Sequence, residues 1–298
     1  MLDIKVRKKL VFAMYCYDNM LNDLIQKIHI ECLKEYMPIF DEVVFWLNID
    51  DRNNTQLIEE VERTLISCSS KKQDIRFHID DNTPYRECIC FNEEVVKNKK
   101  NNDLIFFGHN KGTTNISNST KRDKYHFAID DIEIYKWVIG LYFFSLSNMD
   151  FVNEALTINN DFKESNGIFF GSFLNKYTQE GIDKKTSIKN TLINKYNWIY
   201  TGTFYWVNTK NLHNYIEGKS IEEPILTDRY FAENYPGNIV ELDTINMERV
   251  TSYGLFYGVN IFDFYHNTSC YIENTFTPEI KNKYEEFYNK IIEKANKK

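Results

Sequence analysis

The chain has 298 residues, 43% hydrophobic and 27% charged, with a formal charge of -7 at pH 7. That composition can fill one large core without disulfide or metal staples and excludes a disordered polymer. The negative balance provides no field to draw a nucleic-acid backbone, and no apolar run reaches the roughly 18 residues of a membrane-spanning helix. A charged N-terminus leading straight into a strand, with no signal-peptide pattern, gives the expectation of a cytoplasmic protein.

Six cysteines, at positions 16, 32, 68, 88, 90 and 270, form no zinc-type CxxC pair and read as reduced, mostly buried thiols. The aromatic fraction is 15%, with 20 Tyr and 22 Phe. Aromatic faces suit sugar rings, but a coding bias toward Phe, Tyr, Ile, Asn and Lys produces the same figure. Two glycosylation sequons, at Asn115 and Asn118, are read as coincidences of an Asn-rich sequence.

The first third alternates strand and helix. Lys9 to Tyr17 is a short run of β-formers ended by Asp18-Asn19, a buried strand. Asn22 to Phe40 carries apolar residues at near-helical spacing and stops around Pro38. Asp41 to Ile49 is a second strand, ending in Asp50-Asp51, and Thr55 to Cys68 an amphipathic helix. Ile75 to Ile79 is a third strand running into Asp80-Asp81-Asn82. Pro84 opens a helix from Tyr85 to Lys97, and Asp103 to Gly108 is a fourth strand entering His109-Asn110-Lys111-Gly112.

The second half is less regular. Asp130 to Leu146 predicts a helix with acids at its positive end. Gly167 to Phe173 and Trp198 to Val207 are strand-like. Asp228 to Tyr235 predicts a helical turn closed by Pro236-Gly237, and Pro278 to Ala295 a charged terminal helix along the outside. Thr113 to Lys124 reads as a flexible loop beside the site.

This order predicts an α/β fold: a Rossmann-like, mainly parallel sheet flanked by helices, with a mixed C-terminal lobe. One domain is expected over 1–298, with a ligand-binding half to about 125, a second half from about 126 to 275, and a terminal helix over 276–298. In such sheets ligands bind beyond the carboxyl ends of the strands. Tyr17-Asp18-Asn19, Asp50-Asp51, Asp80-Asp81-Asn82 and His109-Asn110-Lys111 therefore bound the expected site. Each residue has a plain alternative role as a cap or turn former.

Four segments carry a resemblance. FFGHNKGTTN, from Phe106 to Asn115, resembles the HxKG signature of a family of bacterial and large-virus glycosyltransferases. YREC, from Tyr85 to Cys88, is similar to its Tyr-Arg-Glu-Gly segment, with Cys88 in place of the Gly. YTGTFYWVNTKNL, from Tyr200 to Leu212, resembles its SGxFWW block, and DRYFAENYPG, from Asp228 to Gly237, its closing Arg-and-Glu block. The segments lie in the family's order across roughly residues 10–240.

The resemblance implies a GT-A-like fold and transfer of a sugar from a nucleotide-diphosphate donor, UDP- or GDP-type, to a glycan acceptor. It implies donor binding by Tyr15, Tyr17, Asp18, Asp50, Asp51, Arg86, His109, Asn110, Lys111 and Gly112. Tyr17 is expected to stack on the base, and Arg86 to pair with a phosphate or with Glu87. Thr201, Gly202, Thr203, Tyr205, Trp206 and Arg229 are expected on the sugar and acceptor side, one of the two aromatics being core. Glu233, or else Asp228, is expected to take the proton from the acceptor hydroxyl.

GT-A enzymes usually hold a divalent metal with an Asp-x-Asp after the fourth strand; here His109-Asn110-Lys111-Gly112 occupies that place. Lys111 can neutralise the leaving diphosphate as a point charge, without a metal. The alternative keeps Mn²⁺ or Mg²⁺ on His109 with Asp80 or Asp81. Two other functions stay open: a carbohydrate-binding scaffold without chemistry, and a sugar nucleotidyltransferase. The latter normally has a Gly-rich loop after its first strand, which YCYDNMLND lacks. Neither GxGxxG nor GxSxG occurs, which excludes the common dinucleotide oxidoreductases and α/β-hydrolases.

Overall fold

The computed structural model describes residues 6–69, 73–83, 86–98, 103–110, 131–150, 152, 156, 167–176, 198–200, 202–217, 231–240, 255–256 and 268–297. Strand β1 (Arg7–Cys16) leads through helix α1 (Leu24–Tyr36) to β2 (Glu42–Ile49), and through α2 (Thr55–Ser67) to β3 (Asp74–Asp81). Helix α3 (Arg86–Phe91), continued by a π-turn over Asn92–Val96, then leads to β4 (Asp103–His109). These agree with the expected elements to within a few residues. The broken i→i+4 pattern at Asn92 is the one feature there that the sequence did not suggest.

Later elements are α4 (Asp131–Leu146), β5 (Phe169–Gly171), β6 (Leu174–Lys176), β7 (Trp198–Tyr200), β8 (Tyr205–Asn208) and α5 (Thr209–Ile216). They are followed by α6 (Phe231–Ile239), β9 (Leu255–Phe256), α7 (Thr268–Thr275) and α8 (Pro278–Asn296). The main sheet runs β3-β2-β1-β4-β8-β5. Its first four strands are parallel, while β8 is antiparallel to β4 and β5. A small second sheet joins β7, β6 and β9. The expected α/β class and mainly parallel sheet are thus present.

Both faces of the sheet are covered, so its central strands are apolar on successive residues rather than on alternate ones. Leu10, Phe12 and Met14 of β1, with Val43, Phe45 and Leu47 of β2, meet α1, α2, α4 and α8 on one face. Val11, Ala13, Val44, Trp46, Ile105 and Phe107 meet α3 and α6 on the other. Each such Leu, Val or Phe contributes about 1.5–3 kcal/mol by leaving water. The terminal helix α8 lies outside, as expected, and is tied down by the Tyr284 hydroxyl donating to the Lys136 carbonyl at 2.6 Å. All five cysteines whose side chains are described are buried thiols, and burial raises the thiol pKa of Cys16, Cys32, Cys68 and Cys90.

Two expectations need correction. The run from Trp198 to Val207 is not one strand: β7 and β8 belong to different sheets. A turn closed by the Thr203 N–H on the Tyr200 carbonyl separates them, with Gly202 at φ 97° and Thr203 at φ 57°. The second correction concerns Pro236-Gly237, which does not end a helix. Helix α6 runs through Pro236 to Ile239. A proline inside a helix removes the N–H that would reach the carbonyl four residues back. That carbonyl belongs to Ala232, and the Tyr205 hydroxyl donates to it instead at 2.6 Å.

Candidate functional site

The sequence of strands turns around β1: β2 and β3 lie on one side of it and β4 on the other. At such a switch point the loops leaving adjacent strands diverge and open a crevice beyond their carboxyl ends. Tyr15, near the end of β1, and His109-Asn110, at the end of β4, stand on either side of it. Asn110 fastens the two strands. Its side-chain oxygen accepts from the Tyr15 N–H at 2.9 Å and its amide donates to the Tyr15 carbonyl at 2.9 Å. The side chain thereby continues the β-ladder one step past β4, and a further bond reaches Gln26. Asn110 is a buried structural clamp, not an open donor-binding residue.

Two polar groups flank this clamp. The first gathers the ends of β1, β2 and β3. The Tyr15 hydroxyl donates to Asp50 at 2.9 Å, the Asn82 amide donates to the other oxygen of Asp50, and Arg86 donates to Asn82 at 3.0 Å. The Arg86 guanidinium stands 4.9 Å from the Tyr15 ring centroid, and the Tyr17 ring lies 5.3 Å away on a 31° tilt. Burial and the hydrogen bond to Asp50 push the Tyr15 phenol up to about 12. Burial, with the bond to Asp23, raises Tyr17 as well.

The second group lies at the end of β4. His109 is 6% exposed and meets Glu87 through Nδ1 at 2.8 Å and the Gly202 carbonyl through Nε2 at 3.0 Å. Both partners are acceptors, one at each ring nitrogen. Glu233, on the first turn of α6, accepts from the Gly202 N–H at 3.3 Å. The turn that separates β7 from β8 is therefore gripped on both sides of one peptide residue. Gly202 is required there: its φ is positive, and a Cβ would lie 3.0 Å from Trp137.

The expected site residues thus divide. Tyr15, Tyr17, Asp50 and Arg86 form one cluster, and His109, Gly202 and Glu233 the other. Thr203 is buried at the turn beside Gly202. Lys111, Gly112, Thr201, Asp228 and Arg229, with the expected loop Thr113–Lys124, lie outside the described residues.

Two expectations about side chains are overturned, the stacking face of Tyr205 or Trp206 and a metal shared by His109 with Asp80 or Asp81. Tyr205 and Trp206 are both fully buried, and neither presents a stacking face. The Trp206 indole N–H donates to the Ser145 carbonyl at 2.9 Å, closing an end carbonyl of α4. Asp18 and Asp51 are not among these: both stay exposed, Asp18 accepting from the Asn54 side chain and Asp51 from the Asn53 N–H in a local turn. Asp80 and Asp81 are bound by Arg52. They lie on β3, three strand spacings from β4, roughly 14 Å at about 4.8 Å each, too far to share an ion with His109. Among the described residues no group of three His, Cys, Asp or Glu side chains gathers to hold a metal.

Asn82, expected at the end of β3, joins Asp50 to Arg86, whereas Glu87 and Gln26 were missed as members. Glu87 is one of the two partners expected for Arg86, whereas successive helix residues point in different directions and Glu87 turns to His109.

No family model, curated protein or solved structure matches the chain. The fold and the site define an α/β protein with a mostly parallel six-stranded sheet and two polar clusters at its switch point. Among the described residues no helix is long and apolar enough to cross a membrane.

Proposed function

We propose that the chain is a glycosyltransferase, moving a sugar from a nucleotide-diphosphate sugar to the hydroxyl of a glycan acceptor. The observation that carries the reading is the pairing of two clusters across one switch point. Tyr15, Arg86 and Asp50 offer a ring face, a cation and a carboxylate at the ends of β1 to β3. Glu233 offers a second carboxylate at the Gly202 turn.

A carboxylate just past the second strand suits the hydroxyls of a ribose, and Arg86 suits a base or a phosphate. Glu233 is the proposed base for the acceptor hydroxyl, and direct displacement at the sugar carbon then needs no covalent intermediate. Lys111, which follows the His109-Asn110 pair in the HxKG-like segment, is proposed to meet the leaving diphosphate. In this reading the main sheet is the GT-A-like donor half, and the small sheet belongs to the acceptor half.

The test is thermal unfolding of the whole chain with UDP, GDP and their sugar conjugates, each with and without Mn²⁺. A ligand at about 100 times its dissociation constant stabilises the fold by roughly 2.7 kcal/mol. The expected result is stabilisation by one base type, lost in Lys111→Ala. A shift independent of Mn²⁺ supports Lys111 as the phosphate partner. No shift with any nucleotide overturns the proposal.

A further inference from the structure

The two edges of the main sheet are finished differently. At one edge β5 has three residues, all buried. At the other, β3 has eight residues and none of them is buried. Among the described residues no strand pairs with the outer side of β3. A long open edge without proline is a template for another strand.

Its chemistry specifies which strand. The Asn82 N–H donates to the Ile49 carbonyl at 3.0 Å, so even-numbered residues bond inward to β2. In a parallel ladder the alternate residues, Phe77 and Ile79 among them, then turn their N–H and C=O groups outward. Phe77 packs on Phe45 toward the α1 and α2 side, while His78 stacks on Trp46 on the opposite face.

We propose that β3 pairs antiparallel with β3 of a second copy of this chain, about a twofold axis at His78, joining two main sheets into one. A twofold axis normal to the sheet keeps like faces together, so each residue must oppose one of the same parity. Centring on His78 sets Arg76 against Asp80 and Phe77 against Ile79, each pair occurring twice. Centring on Phe77 sets Asp74 against Asp80 and Arg76 against His78. Centring on Ile79 sets Phe77 against Asp81. Of these three, the His78 register alone opposes Arg76 to an acid and Phe77 to an apolar side chain; its outer pairs, Ile75 with Asp81 and Asp74 with Asn82, lie at the strand ends. Arg76 and Asp80 have side chains 45% and 38% exposed; each keeps its own intrachain partner, Glu42 or Arg52, on the inner side. Ile79, 39% exposed, is covered by the partner's Phe77.

The experiment is sedimentation equilibrium of the full chain, with two variants. The wild type is expected at twice its 35.6 kDa mass, and Ile79→Lys at the single mass with an unchanged circular dichroism spectrum. Ile66→Lys, changed at an exposed position on α2, stays dimeric. In the proposed register the two His78 residues form a non-hydrogen-bonded pair with Cα atoms about 4.5 Å apart, within disulfide reach. His78→Cys is therefore expected to yield a covalent dimer on mild oxidation, dissociated by reductant. A monomeric wild type, a dimer that survives Ile79→Lys, or a dimer that His78→Cys fails to cross-link would each overturn the proposal.

Discussion

His109 and Glu233 hold opposite sides of the same residue: the imidazole meets the Gly202 carbonyl at 3.0 Å while the carboxylate takes the Gly202 N–H at 3.3 Å. Glu233 therefore has a structural contact in addition to its proposed chemical role, and the two are separable. Glu233→Gln keeps an oxygen acceptor for the Gly202 N–H and removes the proton acceptor. It is expected to leave the melting temperature nearly unchanged and to cut sugar transfer by about 10²-fold or more. Glu233→Ala loses both, with about 1 kcal/mol of stability lost as well. Turnover in Glu233→Gln equal to that of wild type would reduce Glu233 to a support for the turn.

The Tyr205 hydroxyl is assigned an entirely structural task, replacing the hydrogen bond that Pro236 cannot make. Tyr205→Phe leaves the buried Ala232 carbonyl without that donor at constant ring volume. We expect a loss of about 1–3 kcal/mol, read from the urea midpoint. Restoring the missing donor by Pro236→Ala in the Tyr205→Phe background should recover part of that loss. An additive double variant would show that the two residues do not compensate each other.

These contacts mark where the sequence was legible and where it was not. The four parallel strands were readable because each is an apolar run of β-formers closed by Asp, Asn or Gly, and the helices between them have a polar face. The polar cluster at the ends of β1, β2 and β3 was readable for the same reason, since strand ends and their polar residues come together by topology. The division at Gly202 was not, because TGTFYWV looks like continuous strand; its turn depends on Gly202 φ and on His109 and Glu233, which are distant in sequence. Helix α6 was misjudged at Pro236 because its compensation comes from Tyr205, 31 positions earlier. Tyr205 and Trp206 look like ligand-facing aromatics in sequence, and only the two-sided packing of the sheet shows that both are core.

In the proposed nucleotide binding, the ring face and the hydroxyl of Tyr15 are expected to have distinguishable roles. Its hydroxyl donates to Asp50, and burial with that bond holds the phenol near 12, so it stays protonated throughout the neutral range. Tyr15→Phe keeps the face beneath Arg86 and frees one Asp50 oxygen; its affinity for the nucleotide selected by thermal shift should stay within about threefold of wild type. Tyr15→Ala removes the face and should weaken binding about tenfold or more, the scale of 1.4 kcal/mol. Asp50→Ala should weaken a ribonucleotide more than its 2′-deoxy analogue, if the carboxylate meets the ribose diol. Calorimetric titration reads all three, and equal affinities in Tyr15→Ala and wild type would place the base elsewhere.

At the opposite, amino end of the sheet, Lys9 is buried between Glu94 at 2.5 Å and Glu42 at 3.7 Å. Burial on its own would raise the Glu94 carboxyl, but the hydrogen bond and charge of Lys9, with the Trp46 N–H, lower it below its ordinary 4.5. A carboxyl with a depressed folded pKa adds stability above its unfolded value and loses it as pH falls through the folded one. Wild-type stability should therefore fall as the pH drops below about 4.5. Lys9→Met strips the ammonium and leaves Glu94 buried with only the Trp46 indole N–H at 3.4 Å and the His78 ring at 3.6 Å as neighbours. The expected cost is on the order of 3–5 kcal/mol at pH 7. Without Lys9, burial is opposed only by Trp46 and His78, so the Glu94 carboxyl is expected to lie higher than in wild type and to lose less stability on protonation. The deficit of Lys9→Met relative to wild type should consequently shrink between pH 7 and pH 4. Urea midpoints across that range measure it, and a deficit independent of pH would show that Lys9 acts through packing of its aliphatic stem alone.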